Sequence, residues 1–181
     1  MTQRQTLPAI WLMTDPRLGS DLPAIVAALP QGAGVIFRHY QLPAPERRAL
    51  FDAVRRVCRG QRRILLLAGS PRQARAWGAD GFHGREGRKL YRGQRHSAPA
   101  HHAVEIRAAR RAGADWLLLS PVFATRSHPG AAVLGRVRFG LLRRGAGLPV
   151  YALGGMNAVR ARGLKLFGIA GWAAIDSLSG A

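Results

Sequence analysis

DWLLLSPVFATRSHPG, residues 115–130, is the stretch on which the fold of this chain turns. Trp116, Leu117, Leu118 and Leu119 form an apolar run that begins after Gly113, Ala114 and Asp115 and stops at Pro121, a length that suits a buried strand better than a helix. A strand with no alternating polar face needs cover on both sides, and the helical patterns before and after it supply that cover in a βαβ arrangement. Such an arrangement puts functional side chains on the loop beyond the strand's carboxyl end. Here the loop carries Ser120, Thr125, Arg126, Ser127 and His128, which combine hydroxyl donors with fixed positive charge. It reads as one wall of an anion-accepting pocket; the plainer alternative is a proline-containing connection with a basic, solvent-facing tip.

Working outward, the unit of strand followed by helix recurs. Residues 8–13 (PAIWLM), 34–38 (GVIFR), 64–68 (ILLLA), 80–83 (DGFH) and 149–153 (PVYAL) read as strands, with a poor, short one within 91–97 and a last one at 168–170. Between them lie helical patterns at 22–29 behind the cap Asp21, 46–59, 73–77, 103–112, 137–144 and 159–164. The 46–59 segment shows its buried stripe directly, with Leu50, Phe51, Val54, Val57 and Cys58 at three-and-four spacing. A faint echo links Gly78-Ala79-Asp80 to Gly113-Ala114-Asp115, 35 residues apart, each closing an Ala/Arg-rich helix and opening a strand. Eight strands alternating with helices predict an α/β chain folded as a small (β/α)8 TIM barrel, one domain over residues 1–181. An open doubly wound sheet is the alternative should the 91–97 unit be missing.

Composition narrows the function classes. The chain has 181 residues and 48% hydrophobic content, enough for a sizeable core. Its 28 Lys and Arg against 9 Asp and Glu give a formal charge of +19, which draws polyanions. The arginines are spread over nearly every helix, however, and no zinc spacing, basic zipper or aromatic ribonucleoprotein signature accompanies them. Nonspecific nucleic-acid affinity at low salt is the expectation, with a small phosphorylated metabolite as the specific partner. The lone Cys58 excludes an intrachain disulfide scaffold, and no stretch reaches membrane-spanning length, so the expected location is cytoplasmic without membrane association.

In a closed barrel the strand exits converge at one end: 14–17, 38–40, 68–70, 83–87, 96–97, 120–128, 154–157 and 171–174. Gly154 and Gly155 stand out as a phosphate cradle, because two glycines let backbone amides approach an anion, although an ordinary tight turn needs the same pair. Gly171, placed just after the expected last strand, supplies a second amide wall. Arg38 ends an apolar strand, so its charge must emerge at the mouth or be paired. His39, His83 and His128 are candidates for acid-base work, each with the reading of a hydrogen-bonded structural residue beside it. His101 and His102 read as a helix start with no metal-completing partners.

The motifs WLMTDPR (11–17), GVIFRHY (34–40), GADGFHG (78–84), GADWLLLSPVFATRS (113–127), PVYALGGMN (149–157) and GIAGWAAI (168–175) resemble the thiamine-phosphate synthase and thiazole tautomerase family of small barrels. The resemblance implies the joining of a pyrimidine pyrophosphate to a thiazole phosphate with loss of pyrophosphate, aided by Mg2+. It also implies that Arg38 binds pyrophosphate, that Thr125 and Ser127 are loop ligands, and that Gly154 and Gly155 hold phosphate. His96 or Ser97 would serve at the fifth strand, and His128 or Arg126 would be the basic residue of the sixth loop. The match departs where the family carries acids. An Asn-Asp pair is replaced by Gly69-Ser70, and the acidic ligand after the fourth strand by Gly84-Arg85, which leaves Glu86 as the nearby carboxylate. Tyr40 replaces a lysine and Ala173 a serine. Two further readings therefore stand beside the synthase: a thiazole tautomerase using a histidine, and a noncatalytic phosphometabolite-binding protein. A homodimer is the assembly left open.

Overall fold

The computed structural model describes residues 6–19, 21–85, 87–126, 130 and 132–178. Eight parallel strands follow one another around a closed barrel: β1 (Ile10–Met13), β2 (Gly34–Phe37), β3 (Leu65–Ala68), β4 (Gly81–His83), β5 (Arg95–Ala100), β6 (Trp116–Leu119), β7 (Val150–Ala152) and β8 (Gly171–Ala174). Closure is made by β8 against β1, with Ile10 opposite Trp172 and Leu12 opposite Ala174. The open-sheet alternative therefore falls. Among the described residues six α-helices cover the outside: α1 (Leu22–Ala28), α2 (Ala44–Gly60), α3 (Pro71–Trp77), α4 (Ala103–Arg111), α5 (Gly135–Arg144) and α6 (Ala158–Leu164).

The interior is filled by aromatics. Trp11 of β1 stacks on Trp116 of β6 at 5.2 Å between ring centroids and meets Tyr151 of β7 edge-on at 6.3 Å. All three are essentially without solvent contact. Such volume in a barrel of strands this short requires a neighbour to give way. At Gly34 of β2 a Cβ would sit 2.5 Å from the Trp11 ring, and at Gly171 it would meet the Ala9 carbonyl and the Tyr151 ring.

The repeated Gly-Ala-Asp has a structural account at the amino-terminal end of the barrel. Gly78 (φ 72°) and Gly113 (φ 74°) take the left-handed conformation that ends α3 and α4. The following aspartates then accept backbone N–H groups of a preceding strand, Leu65 on Asp80 at 2.8 Å and His96 on Asp115 at 2.8 Å. Each aspartate ties the start of one strand to the entry of the next.

Two strands differ from the sequence reading. The fifth was expected within 91–97 and runs Arg95–Ala100, straight through Pro99. Alternate residues of β5 address different neighbours: Arg95 N–H reaches Asp80, the Ser97 carbonyl accepts Gly84 N–H, and the Ala100 carbonyl accepts Ser120 N–H. Pro99 lies on the β4-facing side, beyond the last β4 pairing at Ser97, so its missing N–H costs no ladder bond. The eighth strand was expected at 168–170. Gly168 instead has φ 67° and caps the turn Lys165–Phe167, so strand geometry begins three residues later. Gly171 thus starts β8 at the barrel's amino-terminal end and is not on an exit loop; the second amide wall assigned to it does not exist there.

This placement gives a first expected outcome. Gly171→Ala overpacks the β8 start against the Ala9 carbonyl and Tyr151 and should cost about 1–3 kcal/mol by urea unfolding. Phosphate affinity of the folded variant, measured by calorimetry, should match wild type.

Candidate active site

The carboxyl end of the barrel is lined at β1 and β2 by a buried polar layer. Thr14 Oγ1 accepts the Arg38 backbone N–H at 2.9 Å and lies 2.9 Å from His39 Nδ1. His39 adopts φ 43° and is buried, which holds its pKa below the ordinary value; the Arg47 and Arg38 charges add to that and Asp15 opposes it. Asp15 spends its carboxylate on Arg17, accepting the backbone N–H at 3.1 Å and Nε at 2.7 Å. Burial raises the Asp15 pKa, but the Arg17 hydrogen bonds outweigh it and leave the carboxyl below its usual range. Arg38 itself has no carboxylate partner among the described residues and faces a cavity of about 610 Å³.

Across that cavity stands the β7 exit. Gly154 (φ 92°) and Gly155 (φ 61°) need glycine twice over. A Cβ at Gly154 would lie 2.7 Å from Pro121, and one at Gly155 would strike the Ala124 carbonyl. The reason is a zipper between loops: Val122 N–H donates to Leu153 and Phe123 N–H to Gly154, at 2.9 and 3.1 Å. Arg160 donates back to the Gly155 carbonyl while its guanidinium lies 4.9 Å from the Phe123 ring centroid. Asn157 caps α6 by accepting Arg160 N–H at 2.9 Å, and Ser177 Oγ donates to the Met156 carbonyl at 2.8 Å.

Of the residues expected at the site, Arg38, Thr125, Arg126, Gly154 and Gly155 line this one cavity. Arg126 is engaged with Asp176 at the β8 exit, its Nε and Nη2 both 3.3 Å from Oδ2, so its charge is shared. Gly171 lies elsewhere. His96 does not line this cavity: inside β5 its ring stacks on Phe82 at 4.1 Å and its Nε2 reaches the Gly84 carbonyl at 3.0 Å. Ser97 is fully buried with its hydroxyl 2.8 Å from His83 Nδ1. Ser127, His128 and Glu86 lie outside the described residues.

Sequence reading missed His101, Met13 and Ser177, all of which line the cavity. The signal for His101 was present: extending the fifth strand through Pro99 makes residue 101 the first of its exit loop.

A second, more open depression of about 740 Å³ lies over β3 and β4, lined by Tyr40, Ser70, His83 and Arg85. Ser70 caps α3 by accepting Gln73 N–H at 3.1 Å, and Arg85 pairs with Glu105 at 3.0 Å. Among the described residues no group of three metal-ligating side chains comes together, and Asp15, Glu105 and Asp176 are each paired with an arginine. The described donors do not fit a magnesium site, and no step below is routed through a metal.

A sequence profile described as thiamine monophosphate synthase matches residues 10–178. The chain belongs to that family. The thiamine-phosphate synthase of Laribacter hongkongensis is 30% identical, aligned over 94% of this chain and 87% of its own. The thiamine biosynthesis bifunctional protein ThiM/ThiE of Symbiobacterium thermophilum is 34% identical over 90% of this chain, which spans only 36% of that longer protein. Among solved structures, a thiamine phosphate pyrophosphorylase from Pyrococcus furiosus superposes with a TM-score of 0.82 at 26% identity, covering 98% of this chain and 90% of that one.

His83 supplies a pH test. Burial above all, with the Arg38 and His96 charges, pushes its pKa from 6.5 down to about 3. Between these values the unfolded chain binds a proton that the folded one refuses, so stability should fall with falling pH, by up to about 1.4 kcal/mol per unit. Urea unfolding between about pH 6.5 and 4 should show a shallower pH slope for His83→Gln, by up to one proton.

Proposed function

We propose that this barrel is a transferase of thiamine biosynthesis that joins a pyrimidine pyrophosphate to a thiazole phosphate and releases pyrophosphate. The family profile, the named relatives and the Pyrococcus neighbour support that reading. Within the molecule one observation carries it: a single cavity has on one wall an arginine, Arg38, with no carboxylate salt bridge among the described residues and on the other a twin-glycine turn. Two anionic groups can be held at once, with a mostly apolar floor of Met13, Leu153, Ala174 and Ile175 between them for flat rings.

In this arrangement the thiazole phosphate seats at Gly154, Gly155 and Ser177, where small residues permit close approach. The thiazole nitrogen then attacks the pyrimidine methylene; a C–N bond forms, the C–O bond breaks, and its electron pair leaves with pyrophosphate. Arg38 stabilises the charge developing on that leaving group, and proximity in one cavity lowers the entropic part of the barrier.

Purified protein given both substrates with Mg2+ should form thiamine phosphate, and Arg38→Ala should lose about 1.5–3 kcal/mol of binding to the pyrophosphate substrate. Saturable binding with no product would instead mark a noncatalytic phosphometabolite-binding protein. The apoprotein alone should take up Mg2+ only weakly; a tight, stoichiometric isotherm in direct titration would count against the donor set described above.

A further inference from the structure

The β5 exit holds a side chain that the mechanism above does not use. His101 Nδ1 lies 2.7 Å from the Ser120 carbonyl oxygen and 3.3 Å from its hydroxyl. A carbonyl can only accept, so the proton of a neutral ring sits on Nδ1 and Nε2 carries the lone pair. The Ser120 hydroxyl can then only receive from the same N–H. Glu105 fixes the backbone beneath, accepting the His101 N–H at 2.7 Å and itself held by Arg85 at 3.0 Å. The ring lines the same cavity as Arg38 and Gly155, and its Nε2 has no hydrogen-bond partner among the described residues.

We propose that His101 is a specificity-determining residue whose Nε2 accepts a hydrogen bond from an amino or ring N–H group of the heterocycle seated in the cavity. The reasoning is one of matching. Serine, threonine and arginine supply donors around the mouth, whereas a locked imidazole offers an acceptor above an apolar floor. A flat ring bearing an N–H satisfies it; a ring of the same shape without one leaves a desolvated lone pair unpaired, which discriminates more strongly than an added methylene would. The inference rests on the proposed reading in that an aminopyrimidine is the occupant it best fits.

Calorimetry with an aminopyrimidine and its des-amino counterpart, in saturating inorganic phosphate, tests it without turnover. Wild type should prefer the amino compound at least about tenfold, within the range for one buried hydrogen bond. His101→Asn keeps a donor near the Nδ1 position for Ser120 and removes the Nε2 acceptor, so it should bind both probes alike. His101→Gln, whose carboxamide reaches the Nε2 position, should restore part of the preference. Discrimination retained in His101→Asn, or absent from wild type, overturns the proposal. Discrimination that holds while the transferase assay yields no product leaves this inference standing and removes the proposed activity. Full turnover with unchanged KM and kcat in His101→Asn removes this inference alone.

Discussion

The stacking of Trp11 on Trp116, with Tyr151 against both, is the contact on which the rest of the molecule depends. Strands of three to six residues present few inward side chains, so a barrel this small is filled either by large residues or not at all. The two indoles and the phenol supply that volume from β1, β6 and β7, and the absent side chains of Gly34 and Gly171 give them room. These contacts tie β1, β6 and β7 together inside the barrel and leave the carboxyl ends free for polar residues. Removing one ring would leave a cavity whose cost, about 3–5 kcal/mol, rivals a large part of the stability expected of a domain of this size.

Above that layer the loops are held by backbone hydrogen bonds. The β6 loop lies across the β7 exit through Val122 and Phe123, and the glycines there serve the crossing first. The same two glycines line the cavity. A structural requirement and a binding opportunity therefore coincide at Gly154 and Gly155, which is why glycine spacing alone could not separate a tight turn from a phosphate cradle. Arg126 is likewise engaged: its pair with Asp176 joins the β6 loop to the β8 exit.

Strands built from unbroken apolar runs, such as residues 64–68 and 116–119, were legible because burial on both faces leaves no polar alternation to misread. The two errors share a cause. Pro99 and Gly168 are residues whose meaning depends on which neighbour a backbone group faces, and that is set by the partner strand's length and by the preceding cap. Each error moved a site residue. Stopping the fifth strand early brought His96 and Ser97 to the mouth in place of His101, and starting the eighth too soon put Gly171 where Ile175 to Ser177 belong. Arg38 does line the cavity, because a charge ending an apolar strand has few places to go.

The excess of positive charge, which the sequence spreads over nearly every helix, has a further use inside the fold. Arg63 is largely buried and donates to the carbonyls of Leu29, Pro30 and Ala33, holding the connection from α1 to β2. Arg47, equally buried, donates to the carbonyls of Arg38 and Ala68 and packs its guanidinium near the rings of Tyr40 and Trp77. Guanidinium suits this work because it spreads five donors over a flat, weakly hydrated group, whereas an ammonium concentrates charge and loses more on burial. Loop carbonyls that would otherwise need water or a longer chain are thereby satisfied in a compact barrel. Arg47 also bears on the site: by holding the Arg38 carbonyl from one side while Thr14 holds its N–H from the other, it fixes the backbone from which the Arg38 side chain projects. Part of the chain's basicity is thus structural, and Arg38 at the mouth gains its backbone orientation from another arginine that is committed to the frame.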